Sequence, residues 1–235
     1  MEAAKKRIKM IATLEHENKK LNDALFDAVE TQNIDEVHLA IKEGADSNYQ
    51  KRHGGQDSST PLDEASYRGY YQIAKMLIKN GAKPSSKNNQ GEQPLLLAAE
   101  AGRSTLVVKL LLENGADVNG RGMSKETPLI QAAKTGKVDI VSMLLAVPNI
   151  DIKAKDADGM TAMDHAKQTI AKNAQLAKTD ISYIPNSQAK ESLHMLEQAE
   201  KGRYPSPDEF SLKLFGQNKV SFRDKVSLGS SGITR

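Results

Sequence analysis

Five histidines and no cysteine are what this 235-residue chain offers for metal binding or proton transfer near neutral pH. His16, His38, His53, His165 and His194 show no metal-ligand spacing. No glycine-rich phosphate loop or nucleophile elbow accompanies them. Without cysteine there is no thiolate nucleophile, no thiolate metal site and no disulfide, which excludes an extracellular disulfide scaffold. Asp164-His165 could be taken for a fragment of an acid–base pair, but adjacent residues of a helix do not face each other. The residues therefore predict no catalysis, no metal and no cofactor.

The elements that such residues would sit on follow from a repeated phrase. Thr60-Pro61-Leu62, Gln93-Pro94-Leu95, Thr127-Pro128-Leu129 and Thr161-Ala162-Met163 recur at spacings of 33, 34 and 34. Each copy is followed by an alanine (Ala65, Ala98, Ala132, Ala166), and the first three by a glycine (Gly69, Gly102, Gly136). Thr60 suits a helix N-cap and Pro61 the first helical position, where a missing N–H costs nothing. Gly69 can take the left-handed conformation that ends a helix, and Ile73, Ala74, Leu77 and Ile78 are spaced for a second helix ending at Gly81. Neither short helix can bury its apolar face alone, so the units must stack into a solenoid.

At this point the chain resembles the ankyrin-repeat family, whose unit has about 33 residues, a TPLH-like helix start and a β-turn between units. The resemblance rests on TPLDEASYRGYYQIAKMLIKNGAKPS, QPLLLAAEAGRSTLVVKLLLENGADVN and TPLIQAAKTGKVDIVSMLL, with Gly44-Ala45-Asp46 and Gly115-Ala116-Asp117 at the inter-repeat turn. It implies an all-α solenoid of about five helix-turn-helix units with short β-turn fingers, plus N- and C-terminal flanking helices. The expected organisation is an N-terminal capping helix over 1–22 and an array over 23–201. Its units are 23–55, 56–88, 89–122, 123–156 and 157–201, and a short helix and flexible tail fill 202–235. In the first unit Gln32 stands where glycine is expected, and a four-residue surplus in YQKRHGGQDSS lengthens the first loop. In the last, the helical pattern runs on to about Lys178, and a loop, TDISYIPN, precedes a helix over 187–201.

Charge is unevenly placed. Residues 1–22 and 200–235 are each +3, whereas 23–199 are −3, within a total of +3. A weakly acidic array argues against the basic stripe of a nucleic-acid binder. No segment approaches the ~20 apolar residues of a membrane span, and the N-terminus lacks a signal-peptide core, so the expected location is cytoplasmic. Ile8, Ile11, Leu14, Leu21 and Leu25 lie at helical spacing, either covering the edge of the first repeat or docking a partner. Ser206-Pro207-Asp208-Glu209 reads as a capping box ahead of Phe210, Leu212, Leu214 and Phe215. That short amphipathic helix either packs on the array or serves as a ligand for a partner's groove. Ile233 amid serine and threonine is compatible with a loose C-terminal export signal, and a bacterial effector would be secreted into the host cytosol.

What the resemblance implies is recognition of a protein partner by a monomer, through a concave face of turn tips and first-helix positions. By register these are Lys87, Asn89, Gln90 and Glu92, then Arg121, Met123, Ser124 and Glu126, then Lys155, Ala157, Asp158 and Met160. The helix positions are Tyr67 and Arg68, Glu100 and Ala101, and Lys134 and Thr135. Lys87, Arg121 and Lys155 form either a basic ladder for an acidic partner segment, extended by Lys51, Arg52 and His53, or a set of solvated turn charges. Tyr67 and Arg68 are of the types that dominate interfaces, whereas Tyr70 and Tyr71 would pack between helices. Leu96 and Ile130 replace the family's hairpin-bonding histidine, and Asp164, in the same register position, would bond the neighbouring hairpin. LLENGADVN resembles the ankyrin consensus for asparagine hydroxylation, so Asn119 is either modified in an animal cytosol or simply bonds its own turn. The function expected is a non-catalytic adaptor; the alternative is a targeting or regulatory module of an enzyme whose catalytic part lies elsewhere.

Overall fold

A computed structural model describes residues 2–53, 57–179 and 187–203. Among these the elements run α1 (Glu2–Glu30), α2 (Ile34–Lys42), β1 (Lys51–His53), β2 (Asp57–Ser59), α3 (Pro61–Arg68), α4 (Tyr71–Lys79), α5 (Pro94–Ala101) and α6 (Thr105–Glu113). They continue with α7 (Pro128–Lys134), α8 (Val138–Leu145), α9 (Ala162–Thr179) and α10 (Gln188–Glu200). The expected short helix after residue 202 lies outside the described residues.

The repeated phrase starts its helices as its chemistry dictates. Thr60 accepts from the Asp63 amide while the Asp63 carboxylate accepts from the Thr60 amide, a complete capping box with Pro61 in the first turn. Thr127 caps α7 by accepting from the Ile130 amide, without a return bond because the isoleucine side chain has no acceptor. Leu62, Leu95 and Leu129, the second residues of α3, α5 and α7, are almost fully buried, and so are Ala65, Ala98, Ala132 and Ala166. These helices touch in sequence, α1 on α3, α3 on α5, α5 on α7 and α7 on α9. Alanine at the recurring position lets their backbones approach. The second helices α2, α4, α6, α8 and α10 make a parallel layer behind them, and one apolar core runs between the layers from Leu25 to Leu196. The array thus consists of five stacked helix pairs, each completed by its neighbour.

The N-terminal cap expected over 1–22 is not a separate element. Glu2–Glu30 is one helix, with no glycine or proline to interrupt it. Among its described side chains Leu21 packs against the core, while Met10, Ile11 and Leu14 remain 60%, 52% and 52% exposed.

Among the described residues three other than glycine adopt positive φ: Gln32 (57°), Lys125 (57°) and Asn149 (65°). Each occupies a register position that glycine holds in other units: Gly69 for Gln32, Gly91 and Gly159 for Lys125, Gly81 and Gly115 for Asn149. A side chain in this conformation crowds the following carbonyl. Gln32→Gly is therefore expected to stabilise the array by about 1 kcal/mol, read as a higher urea midpoint at unchanged slope.

Candidate functional site

The fingers precede α3, α5, α7 and α9 in the chain, and residues of the first two fingers border one space with α3, the corner in which the resemblance places the concave face. Each of three fingers is closed by two backbone bonds at equivalent positions: the amides of Asn88, Gly122 and Asp156 donate to the carbonyls of Glu92 (2.9 Å), Glu126 (3.3 Å) and Met160 (3.0 Å), and their carbonyls accept from the amides of Gly91 (3.0 Å), Lys125 (3.0 Å) and Gly159 (3.2 Å). Inside two of them a side chain rigidifies the turn. Asn88 Oδ1 accepts from the amides of Gln90 and Glu92, and Asp156 Oδ1 from those of Asp158 and Met160. The first finger is the antiparallel pair β1–β2, with Lys51 opposite Ser59, because its surplus residues allow a longer hairpin. Successive fingers are then tied together. The Ser58 amide donates to Asn89 Oδ1 (2.8 Å), the Met123 amide to the Gln90 carbonyl (2.9 Å) and the Ala157 amide to the Ser124 carbonyl (2.8 Å).

Beneath the fingers, the loops between units are stapled by one repeated register position. Asn48 donates to the Gly81 carbonyl and accepts from the Lys83 amide. Asn119 donates to the Asn149 carbonyl (2.8 Å) and accepts from the Asp151 amide (2.8 Å). At the junction between them Ser85 donates to the Gly115 carbonyl. Asn119 thus bonds the next unit rather than only its own turn, and both ends of its amide are engaged. Asn119→Ala is expected to cost about 1–2 kcal/mol by loss of both bonds, and Asn48→Ala the same, checked by urea unfolding.

The predicted contact residues divide into displayed and engaged groups. Met123 is 75% exposed at a finger tip, Tyr67 is 40% exposed on α3, and Lys87, Ser124 and Lys155 are exposed between them. Arg121 reaches forward to the Lys155 carbonyl (3.1 Å), with Asp151 at 3.9 Å, which aligns these two cations on successive fingers. Arg68 is paired with Glu64 one turn earlier. Glu126 is largely covered, holding Lys134 (2.8 Å) and Gln131 (2.7 Å), so the pair Glu126–Lys134 joins a finger to its own helix. Asn89 and Gln90 serve the finger ladder, and Glu92 accepts from the Asn88 side chain (3.0 Å). Glu100 is half-buried, and burial pushes its carboxyl up, with Glu92 and Glu126 adding to the effect.

Two expectations are corrected. Lys51 does not extend the basic ladder: its ammonium is paired with Asp27, with Glu30 at 3.8 Å, and lies 5.0 Å from the centre of the Phe26 ring, so it fastens the first finger to α1. Asp164 does not bond a neighbouring hairpin. It accepts from the amide and hydroxyl of Thr161, capping its own helix as Asp63 does. Leu96 and Ile130 replace hairpin bonding by packing, 2% and 1% exposed, and the Leu96 methyl abuts Gly122 of the next finger. The His53 side chain lies outside the described side chains. Tyr70 and Tyr71 pack against the core, and Lys75 sits over the Tyr71 ring.

Two features escaped the sequence reading. His165 Nε2 meets Asp156 Oδ2 at 2.6 Å, both side chains under a tenth exposed, and this bond fixes the fourth finger to α9. The partner of His165 lies nine residues upstream rather than beside it, at the base of the turn. The second feature is a cavity of about 180 Å³ in the corner between the first two fingers and α3, bordered by Ser58, Asp63, Glu64, Tyr67, Asn88 and Glu92. Among the described residues no cluster of three or more His, Asp or Glu could hold a metal ion, and no helix is long and apolar enough to cross a membrane.

The stacked helix pairs, left-handed turns and hydrogen-bonded fingers define a repeat protein built to present one continuous face. The family model for ankyrin repeats (3 copies) matches residues 1–88, 25–122, 62–156 and 95–178, and the chain belongs to the ankyrin-repeat family. It is also similar to the 2-5A-dependent ribonuclease of Homo sapiens, 36% identical over 81 residues, which are 34% of this chain and 10% of the ribonuclease. The chain thus spans about a tenth of the length of that curated relative. The ankyrin array is a non-catalytic fold for protein–protein interaction.

Proposed function

We propose that this chain is an adaptor that binds one protein partner as a monomer, through the concave face between its fingers and the layer α3, α5, α7 and α9. The observation that carries this reading is Met123. A 75% exposed thioether is held at a finger tip whose backbone is bonded to the finger before it, with Tyr67 exposed on α3. A flexible, polarizable side chain on a rigid support is suited to filling a partner's surface. Lys87, Arg121 and Lys155 on successive fingers add a row of positive charge that would meet an acidic partner segment. The site is a cytoplasmic one in this reading. An effector role would depend on the tail after residue 203, which is outside the described residues.

A photo-crosslinking residue placed at Met123, and separately at Leu106 on the opposite layer, tests the proposal in whole-cell lysate. The expected result is one partner captured from Met123 and not from Leu106, with capture from Met123 lost on Tyr67→Ala. Equal capture from both positions would overturn it. The similarity to a segment of the human ribonuclease favours a second reading, in which such an array is the targeting part of an enzyme. Catalytic turnover in a longer product of the same gene, directed to the partner by this array, would support that reading.

A further inference from the structure

The concave face carries a cavity whose chemistry is opposite to that of the finger tips. Asp63 lies on its floor, 1% exposed. One carboxylate oxygen, Oδ2, accepts from the amide and the hydroxyl of Thr60, each at 2.8 Å. The other, Oδ1, is buried and has no hydrogen-bond partner among the described residues. An orphaned buried carboxylate oxygen is costly, and a donor entering the cavity would relieve that cost. Glu64 and Glu92 border the same space from α3 and from the second finger. Glu64 is compensated by Arg68, whereas Glu92 has only the neutral Asn88 amide, and both carboxylates act on Asp63. Arg103 lies over the Tyr67 ring, 5.4 Å from its centre, and leaves the ring as a wall of the cavity.

A metal ion is poorly matched to this arrangement, since the carboxylates do not converge into a cluster able to hold one. An organic cation fits better. The head of a lysine or arginine brings several donors on an apolar stem, the donors for Asp63 and Glu92 and the stem for Tyr67. The space suits the end of one long side chain and is too small for a folded segment.

We infer that the cavity between the first two fingers and α3 is a receptor for one lysine or arginine side chain of the protein partner, with Asp63 and Glu92 as its anionic ligands. This rests on the reading of the concave face as the partner-binding surface and adds a specific requirement to it. The partner must present a cation at one end of its contact, in addition to whatever acidic groups meet Lys87, Arg121 and Lys155. Docking of that cation would select the register in which the partner lies along the fingers.

Titration of the intact chain with N-acetyl-lysinamide, N-acetyl-argininamide and, as the uncharged control, N-acetyl-norleucinamide tests the inference by amide NMR. Saturable shifts at Asp63, Tyr67, Asn88 and Glu92 are expected with either cationic amide and not with norleucinamide. Glu92→Gln and Asp63→Asn, each folded by circular dichroism, are expected to weaken binding by about tenfold or more. Equal shifts with norleucinamide, unchanged binding in both variants, or saturation by calcium chloride but by neither cationic amide would overturn it. Failure here and failure of the face reading are separable. A partner crosslinked at Met123 with no amide binding leaves the face and removes the cavity. Amide binding without a partner at Met123 does the reverse.

Discussion

Asp63→Asn is expected to raise stability at pH 7 by on the order of 2–3 kcal/mol and to remove a fall in stability that the native chain shows between about pH 4 and pH 6. The reason is the burial of a carboxylate at the start of α3. Burial pushes the Asp63 carboxyl up to about 6 from 3.8, helped by the charges of Glu92 and Glu64 and opposed by the two bonds from Thr60. A group whose folded pKa lies above its unfolded one holds its proton longer in the folded state. The folded form therefore gains as pH falls through 6 and has the full gain below about 4. At neutral pH the ionised group is a liability. Asparagine keeps an oxygen for the Thr60 amide and turns its NH2 toward the place of the orphaned Oδ1, so the cap survives while the buried charge goes. Urea midpoints of both proteins from pH 4 to pH 8 give the answer: the two curves converge at pH 4 and separate by pH 7. Parallel curves would contradict the assignment.

The second large effect concerns the fourth finger. His165→Ala is expected to cost about 2–3 kcal/mol, because it removes the closest donor to a buried carboxylate that keeps only the amides of Asp158 and Met160. Burial alone would raise the Asp156 carboxyl, but the His165 ring and the amides of Met160 and Asp158 hold it below the ordinary value of 3.8. The ionised carboxylate accepts, so Nε2–H of His165 donates. This group has the opposite sign to Asp63. Its stabilisation is complete above the unfolded aspartate pKa and is lost as pH falls below about 4. Asp156→Asn is expected to lose much less than Asp156→Ala, since Asn88 performs the same turn in the second finger. Urea unfolding of the three variants at pH 7 separates the bonds, and a cost below about 1 kcal/mol for His165→Ala would contradict the role given to it.

Both residues show where sequence reading succeeds and where it stops. Period, caps and apolar spacing are local, so the helix starts at Pro61, Pro94 and Pro128 and the left-handed glycines were legible from the residues themselves. Ile73, Ala74 and Leu77, whose spacing marks the apolar face of a second helix, lie in the core for the same reason. Gln32 was legible as a departure, and it takes the glycine's conformation at a cost rather than changing the turn. Side-chain pairing across the array was not legible. The position of Asp164 suggested a neighbour's hairpin, yet the nearest donors were the amide and hydroxyl of its own Thr161. Nothing local to Lys51 reveals that α1 brings Asp27 to it from 24 residues away. Nothing in the sequence around Asp63 marks it as buried. Its burial comes from the finger and helix of the following unit, and only stacking places Glu92 beside it.

The site itself combines both kinds of information. Register placed Met123, Ser124 and Lys155 at tips, and the structure displays them. Register also nominated Glu126, Lys134 and Arg68, whose charges are already engaged within the array, so these residues shape the surface more than they contact a partner. The remaining exposed set is Tyr67, Lys87, Asn89, Arg121, Met123, Ser124 and Lys155, spread over α3 and successive fingers, with the anionic cavity at one end.

The most direct test of the central claim is amide hydrogen exchange of the intact chain, alone and bound to the partner that it captures. The account predicts new protection over 58–68, 87–92, 121–126 and 155–160, with exchange in α2, α4, α6 and α8 unchanged. Protection confined to those second helices, or to α1, would contradict it.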